Sequence, residues 1–430
     1  MRKRALILIE GGSNMPLHVQ YVRAAKRLDL QPIILLSDPD GYDFLAAKGI
    51  EAVRVDTENL DALIRECSRL KAAYAIAGIT SAVELFYATA GKISRYFDLP
   101  GPNPESVERC CNKCIQRQLL AEAGVPVPAY RVATNATDVA SSAAAIGLPV
   151  VVKPAVGSGS TGVRLCRSLD ELAEHTTYLL GGKHLWRSTP RILVEEFAQG
   201  RHFCIDLMGG EVIGISVLEF CRPPHFVYRE ATCPAVLTDD EHRRITDVSL
   251  SCLQALGLGW GPTNVELRWT KRGPVVIEIN PRLTGSPGPE LLQLAYGVDL
   301  VTEHIKLLLG AKSSLARTQS KAAAVRFLVP YRDGTLDWIN GLNLAAASPG
   351  VTEVKLFVEP KMPIVRKGNC LDCIARVIAV SPSFSQTKFL LQRAVDLINW
   401  SITPFSSIVE QEDSVNPSDP STNVSGSTKR

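Results

Sequence analysis

The 430-residue sequence lacks a long apolar run and a large excess of charge of one sign. No apolar stretch approaches the ~18–20 residues that a membrane-spanning helix needs. Lys and Arg number 47 and Asp and Glu 44, so the net charge is only +3 and no concentrated basic surface is indicated. The first apolar run, residues 5–9, is too short for a signal peptide. We therefore expect a cytoplasmic protein with neither a membrane nor a nucleic acid as partner.

Cysteine gives no sign of a disulfide framework. The 11 cysteines are odd in number and scattered over a long chain, whereas disulfide-rich domains are short and cysteine-dense. Two CxxC pairs, Cys111/Cys114 and Cys370/Cys373, have a spacing that zinc sites also use. Because the pairs lie far apart, we interpret them as reduced structural thiols, with zinc binding as the alternative.

The apolar runs that are present predict an α/β fold at the start of the chain. Short runs at residues 5–9, 32–36, 52–55 and 74–77 alternate with segments of helical period, which predicts a parallel sheet of Rossmann type. Gly11-Gly12-Ser13 after the first strand lacks the GxGxxG order, so no dinucleotide site is indicated. A loop at 99–106 predicts a boundary, and a single helix is expected over about 106–123.

Two strands, 262–269 and 274–280, predict a hairpin that brings two carboxylates together. With the turn centred on Arg272, Glu266 lies opposite Glu278 at about 5 Å between Cβ atoms, and Asn280 shares their face. Facing carboxylates are destabilising without a cation between them, and these oxygen ligands suit Mg²⁺. The alternative is an exposed strand face with harmless glutamates. In both cases the opposite face is expected to hold Val265, Leu267, Ile277 and Ile279.

A second group of segments favours phosphate binding. The sequence GSGSTG at 157–162 lets backbone N–H groups approach an anion, although it lacks the P-loop order. Lys153 closes a buried strand just before it, where a charge is costly without a partner such as a phosphate. Lys113, near the start of a helix, is a second cation that could bind phosphate in the same way. In the strand at 191–197, Glu195 and Glu196 point to opposite faces. The alternatives are a flexible hairpin and a solvated lysine.

Taken in order, these segments resemble the ATP-grasp superfamily. The resemblance covers about residues 75–310, extends more weakly to about 400, and implies both α/β and α+β structure. It implies a Rossmann-like N-terminal lobe at 1–105, a two-lobed ATP clamp at 106–310 with its lid at about 125–195, a small C-terminal α+β region at 311–408 and a disordered tail at 409–430. The motifs that carry it are Asn112-Lys113, AGVPVP at 123–128, VVKP at 151–154, GSGSTGV at 157–163, VEEF at 194–197, Glu266 and EINPR at 278–282.

The resemblance also implies a role for each motif residue. Lys113 and Lys153 would contact ATP phosphates, and Arg282 and Lys153 would be the catalytic residues. The loop over the β- and γ-phosphates would consist of Gly157, Ser158, Gly159, Ser160, Thr161 and Gly162. The adenine amine would meet Glu195, the ring would lie against the backbone of Glu196, Phe197 and Ala198, and the ribose would lie near His202. Two Mg²⁺ ions, for which Mn²⁺ could substitute, would be held by Glu266, Glu278 and Asn280.

Residues 284–290 and the later AVRFLVP, SPGVTEV and ARVIAV segments look similar to bacterial L-amino acid ligases and related carboxylate–amine ligases. In those enzymes the segment after the arginine lines the amino-acid pocket, so Arg282, Gly285 and Ser286 are candidate substrate contacts. Glu84 is a candidate for the substrate's amino group, with a solvated helix residue as the alternative. Tyr228 stands where similar sequences often carry an acidic residue, which leaves the second substrate open.

The activity implied by the resemblance is an ATP- and Mg²⁺-dependent ligase acting as a homodimer. It would activate a carboxylate as an acyl-phosphate and join it to an amine, releasing ADP and phosphate. One alternative is a bicarbonate- or formate-activating carboxylase or transformylase on the same scaffold, which would release ADP with bicarbonate and no amino acid. The other is a non-catalytic ATP-binding protein, which would bind ATP without turnover.

Overall fold

The structure is a computed structural model that describes residues 2–10, 15–42, 45, 49–182 and 190–405. The glycine turn at 11–13 and the tail predicted from 409 onwards lie outside the described residues. In the described part of the chain, no helix is long and apolar enough to cross a membrane. All 11 cysteines are free.

The N-terminal lobe is a four-stranded parallel sheet with helices packed against it, as predicted. Its strand order is β3-β2-β1-β4. The two central strands are apolar and buried from Ala5 to Ile9 and from Pro32 to Leu36, which is typical of parallel sheets with both faces covered. The elements are β1 (Lys3–Ile9), α1 (Met15–Arg27), β2 (Gln31–Leu36), β3 (Glu51–Arg54), α2 (Leu60–Leu70), β4 (Tyr74–Thr80) and α3 (Glu84–Tyr96).

Two helices stand where the sequence predicted one. Helix α4 (Pro104–Cys111) ends at Asn112, and α5 (Lys113–Glu122) begins directly after it. The prediction of a single helix is wrong because Asn112 has an extended backbone, and its side chain accepts hydrogen bonds from the N–H groups of Cys114 and Ile115. This break makes Lys113 the first residue of α5, with its backbone N–H donating to Ala155 O at 2.8 Å.

The lid is a four-stranded antiparallel sheet in the order β5-β8-β6-β7. Helices α6 and α7 cover one of its faces with buried apolar residues such as Val139 and Leu172. The elements are β5 (Tyr130–Ala133), α6 (Ala136–Ile146), β6 (Val150–Pro154), β7 (Arg164–Cys166), α7 (Leu169–Gly181) and β8 (Ile192–Glu196).

The largest sheet has eight antiparallel strands in the order β13-β12-β9-β10-β11-β14-β18-β16. Its first five strands belong to the predicted clamp and its last three to the predicted C-terminal region, so one sheet crosses residue 310. The strands are β9 (Arg201–Met208), β10 (Glu211–Phe220), β11 (Tyr228–Cys233), β12 (Pro262–Thr270), β13 (Gly273–Asn280), β14 (Ala322–Leu328), β16 (Val351–Leu356) and β18 (Ala375–Ser381).

The remaining elements pack on this sheet and complete the C-terminal region. A small sheet has the order β17-β15-β19. One buried apolar cluster joins Leu6 and Ile34 of the N-terminal lobe to Leu292 and Val325, so the lobe and the large sheet share a core. The elements are α8 (Asp239–Leu256), α9 (Gly288–Tyr296), α10 (Leu300–Leu308), β15 (Gly334–Asn340), α11 (Leu342–Ala346), β17 (Pro363–Ile364), α12 (Phe384–Asp396) and β19 (Asn399–Thr403).

Candidate active site

A cleft of about 770 Å³, open to solvent, lies between the lid and the large sheet. Val151 and Lys153 of β6 form part of its roof, and residues of β9, β12 and β13 form its floor. The predicted ATP and metal residues that line it are Lys113, Lys153, Gly157, Ser158, Ser160, Thr161, Glu195, Glu196, Phe197, Ala198, His202, Glu266 and Glu278. The other predicted site residues lie outside this lining: Gly159 and Gly162 in the loop, Asn280 on β13, and Glu84, Arg282, Gly285 and Ser286 at the substrate end.

The predicted pairing of carboxylates is confirmed, but by a different register from the one assumed. Glu266 and Glu278 are direct partners, whereas at the turn Thr270 pairs with Gly273. The turn is therefore the two residues 271–272, and a β-bulge between Glu266 and Leu267 shifts the register by one. Ile277 is the additional residue of β13. It lines the cleft, so the prediction that it packs on the opposite face is wrong.

Lys113 balances the charge of Glu278, and His202 forms a hydrogen bond with Glu266. The Lys113 ammonium lies 2.7 Å from Glu278 Oε1, and His202 Nε2 lies 3.1 Å from Glu266 Oε2. Burial lowers the pKa of His202, although the bond to Glu266 opposes this effect. Burial alone would raise the pKa of Glu266, but the hydrogen bond from His202 holds it below its ordinary value.

The donor chemistry at this hairpin fits Mg²⁺. Two carboxylates and the amide of Asn280 offer oxygen ligands, and phosphate oxygens and waters would complete the coordination. Asn280 Nδ2 donates to Asn264 Oδ1 at 3.2 Å, which leaves the Asn280 amide oxygen as the acceptor. In the described residues, no group of three or more His, Cys, Asp or Glu could hold a metal ion, so the hairpin's ligand set consists of the two carboxylates and this amide.

Glu195 is buried between two cations. Its carboxylate lies 2.6 Å from the Lys153 ammonium and accepts from Arg117 Nε at 2.7 Å. Burial would raise the pKa of Glu195, but the charges of Arg117 and Lys153 hold it below its ordinary value, while burial lowers the pKa of Lys153. In the structure each carboxylate oxygen of Glu195 is bound by one cation, and the predicted contact with the adenine amine stays a prediction.

Arg117 is a buried cation at the site that the sequence motifs did not predict. It is 1% exposed, and besides binding Glu195 it donates to the backbone oxygens of Val276 and Ile277 at 3.1 and 2.7 Å. It therefore ties α5 to both the lid and the hairpin. One signal could have found it: Arg117 lies four residues after Lys113, on the same face of a helix.

The glycine-rich loop at 157–162 is held from two sides. Lys113 Nζ donates to Gly157 O at 2.6 Å, and the backbone N–H of Cys370 donates to Gly159 O at 3.0 Å. Gly159 has a φ of +62°, and a Cβ there would lie 2.4 Å from Cys370 Sγ. The second CxxC pair therefore belongs to a C-terminal segment that docks on this loop, which spacing alone did not predict.

The residues predicted to contact substrate lie around Arg282. Its guanidinium forms an ion pair with Glu84 at 2.5 Å, and both side chains are mostly buried, so Glu84 is not a solvated helix residue. Burial would lower the pKa of Arg282, but Glu84 raises it overall. Ser286 Oγ donates to Glu290 Oε1 at 2.8 Å and accepts from Arg376 Nη1 at 3.0 Å.

Three further residues define the surroundings of this group. Thr284 donates a hydrogen bond to Asp206, whose burial raises its pKa to about 6. The Gly285 carbonyl accepts from the N–H of Gly288 at 2.8 Å. The Tyr228 ring packs between those of Phe220 and Phe327, at centroid distances of 6.0 and 5.0 Å.

Two family models match successive parts of the chain. "Carbamoyl-phosphate synthase L chain, ATP binding domain" matches residues 112–316, and "L-amino acid ligase C-terminal domain 2" matches residues 326–403. The first match contains the lid, the hairpin and Arg282. The second contains β14, β18 and the segment that docks on the glycine-rich loop.

Two curated relatives and one solved structure are similar to most of the chain. The uncharacterised protein y4rH of Sinorhizobium fredii is 59% identical over 95% of this chain and 85% of its own length. The L-arginine-specific L-amino acid ligase of Bacillus subtilis is 21% identical over 73% of this chain and 77% of that protein. The crystal structure of an L-amino acid ligase from Bacillus licheniformis superposes with a TM-score of 0.77 at 20% identity, covering 94% of this chain and all of that one. The chain therefore belongs to the ATP-grasp superfamily of carboxylate–amine ligases.

Proposed function

We propose that the protein joins the carboxylate of an amino acid to an amine, with ATP converted to ADP and phosphate. The observation that carries this proposal is that the paired carboxylates Glu266 and Glu278 share one cleft with Lys113 and Lys153. The Glu84–Arg282 ion pair lies near enough to this cleft that Glu278 and Glu266 add to the electrostatic field on Arg282. Such a site can bind a triphosphate and a zwitterion side by side.

In this proposal ATP lies along the cleft with its adenine against the backbone of residues 196–198 and its ribose near His202. The phosphates lie under the glycine-rich loop. Lys113 and Lys153 bind phosphate oxygens in place of Glu278 and Glu195, their present partners. Both lysines are already buried at the site, so the nucleotide changes their partners without bringing new cations into the cleft.

Glu266, Glu278 and Asn280 would hold Mg²⁺, which would supply positive charge to neutralise the phosphate oxygens. The hairpin is suited to two ions because its two carboxylates and the amide lie on one face. Arg282 stabilises the transferring phosphoryl group, and Glu84 binds the substrate's ammonium. A homodimer in the cytoplasm completes the proposal, and light scattering of the purified protein tests its oligomeric state.

The reaction has two steps, and no nucleophilic side chain is needed. A carboxylate oxygen attacks the γ-phosphorus, and the bond to the bridging β–γ oxygen breaks, which gives an acyl-phosphate and ADP. The amine nitrogen then attacks the carbonyl carbon, loses a proton and expels phosphate. The protein contributes positioning and charge stabilisation, which are the main requirements of phosphoryl transfer.

Lys153→Ala tests the assignment. We expect ADP release to fall by about 100-fold or more, because a charge-stabilising group is lost from the transition state. Lys321→Ala, at an exposed lysine remote from the cleft, is the matched control and should retain wild-type activity. ADP release is measured over pairs of amino acids and other acids, with product mass by mass spectrometry. Wild-type turnover by Lys153→Ala would contradict the role, and ADP release with bicarbonate alone would contradict the amide-forming reaction.

A further inference from the structure

Arg268 is a cation in the cleft that the proposed mechanism does not use. It lies on β12, two residues after Glu266, and pairs with His202 of the neighbouring strand β9. Its side chain lines the cleft together with these two residues. The two lysines that line the cleft, Lys113 and Lys153, each have a carboxylate partner. Arg268 donates no hydrogen bond and forms no ion pair with any residue that the structure describes.

Two aromatic rings hold the Arg268 guanidinium in place. Its Cζ lies 5.4 Å from the centroid of the Phe197 ring and 5.7 Å from that of Phe226. Burial lowers the pKa of Arg268, although nearby Glu266 raises it, and a guanidinium stays charged despite such a shift. Stacking on two rings offsets part of the desolvation cost, but the five N–H donors still require acceptors. Because the cleft is open to solvent, water satisfies these donors in the free protein, and an oxygen acceptor of a bound ligand can take its place.

The location of Arg268 along the cleft indicates which acceptor this is. At the hairpin turn, Arg272 binds the Glu196 carboxylate at 2.8 Å, so β12 runs from Glu266 toward the segment proposed to contact adenine. Arg268 is about 6–7 Å along the strand from Glu266. Its Cα therefore lies between the metal carboxylates and the adenine segment, beside His202, and its guanidinium extends to the Phe197 ring of that segment.

We propose that Arg268 is a nucleotide-specificity residue whose guanidinium donates hydrogen bonds to the α-phosphate of the bound nucleotide. This inference rests on the proposed function, because it takes the cleft to be the ATP site. The α-phosphate joins the ribose to the rest of the triphosphate and carries charge in AMP, ADP and ATP alike. Arg268 thus distinguishes nucleotides from nucleosides, and it contributes to binding rather than to phosphoryl transfer.

Binding of adenosine, AMP and ADP to Arg268→Met and Arg268→Lys, measured by calorimetry and by competition, tests the proposal. We expect Arg268→Met to weaken AMP and ADP binding by about 10–100-fold, which is the usual worth of a hydrogen bond to a charged group. Adenosine affinity should stay within about twofold, and Arg268→Lys should lie in between, because lysine keeps the charge but loses the planar fork. In steady-state assays the KM for ATP should rise more than kcat falls.

Arg244→Met is the matched control. Arg244 stacks on Trp269 of the same strand at 4.9 Å, outside the cleft, so this variant also removes an arginine–aromatic contact from β12. Its nucleotide affinities should be unchanged. Equal losses for adenosine and AMP in Arg268→Met would show a purely structural role and overturn the proposal, as would unchanged AMP and ADP binding. If the wild-type protein bound no adenine nucleotide, the proposed function itself would fail, which the wild-type measurement detects separately.

Discussion

Replacement of Arg117 by methionine is the sharpest test of how the lid and the hairpin are held together. The change removes the bond to the Glu195 carboxylate and leaves the Val276 and Ile277 carbonyls without their donor. Because Arg117 and Glu195 are 1% and 3% exposed, water cannot replace the lost partner. Breaking such a buried pair typically costs about 3–5 kcal/mol. We expect Arg117→Met to lower the free energy of unfolding by this amount.

A double-variant cycle separates the ion pair from ordinary packing. Glu195→Gln alone leaves Arg117 and Lys153 facing a neutral amide, so it should also be strongly destabilising. The double variant Arg117→Met/Glu195→Gln removes both charges, and we expect its loss to be smaller than the sum of the single losses by about 2 kcal/mol or more. Free energies of unfolding come from urea denaturation monitored by fluorescence and circular dichroism.

A neighbouring pair provides the control. Glu196 follows Glu195 in β8 and binds Arg272 at 2.8 Å, but these side chains are 35% and 61% exposed. Arg272→Met should therefore cost less than about 1 kcal/mol. A loss below about 1 kcal/mol for Arg117→Met, or strictly additive losses in the cycle, would refute the view that buried charges hold the lid and hairpin together.

Three further results are expected. Burial raises the pKa of Asp206 to about 6, so the folded state favours the protonated carboxyl and loses stability as pH rises from about 4 to above 6. Asp206→Asn should therefore exceed the wild type in stability by up to roughly 3 kcal/mol at pH 8, with no difference near pH 4 in thermal melts. Gly159→Ala should raise the KM for ATP about tenfold, because the alanine methyl group would collide with Cys370 Sγ. Adding Cys370→Ala to this variant should lower the KM part of the way back. Glu266→Gln should raise the Mg²⁺ concentration needed for half-maximal ADP release by more than about tenfold; an unchanged requirement would exclude Glu266 as a ligand.

Features encoded by local sequence were predictable. The apolar runs gave β1 to β4, and the alternation in β12 and β13 gave the pairing of Glu266 with Glu278. The prediction assumed a turn centred on residue 272. The actual turn at 271–272 shifts the pairing by one residue, and the bulge after Glu266 shifts it back by one, so Glu266 still pairs with Glu278. Strand patterns repeat every two residues, so they report which face a side chain takes but not where an additional residue is inserted.

Features that depend on tertiary contacts were not predictable. The break at Asn112 needs the cap geometry to be recognised inside an otherwise helical pattern. Arg117 and Arg268 gain their roles from strands and rings far away in sequence; the spacing from Lys113 marks the helix face of Arg117 but not its partners, and no local motif marks Arg268.

The shared eight-stranded sheet limits how the chain can be shortened. Strand β14 pairs along Glu230 to Cys233 of β11, so a chain ending at residue 310 would leave the N–H and C=O groups of that edge unpaired. An unpaired strand edge of this kind is a template for pairing with other chains. We expect such a truncated protein to aggregate during expression instead of yielding a smaller ATP-binding unit, which means that the C-terminal strands protect the solubility of the clamp.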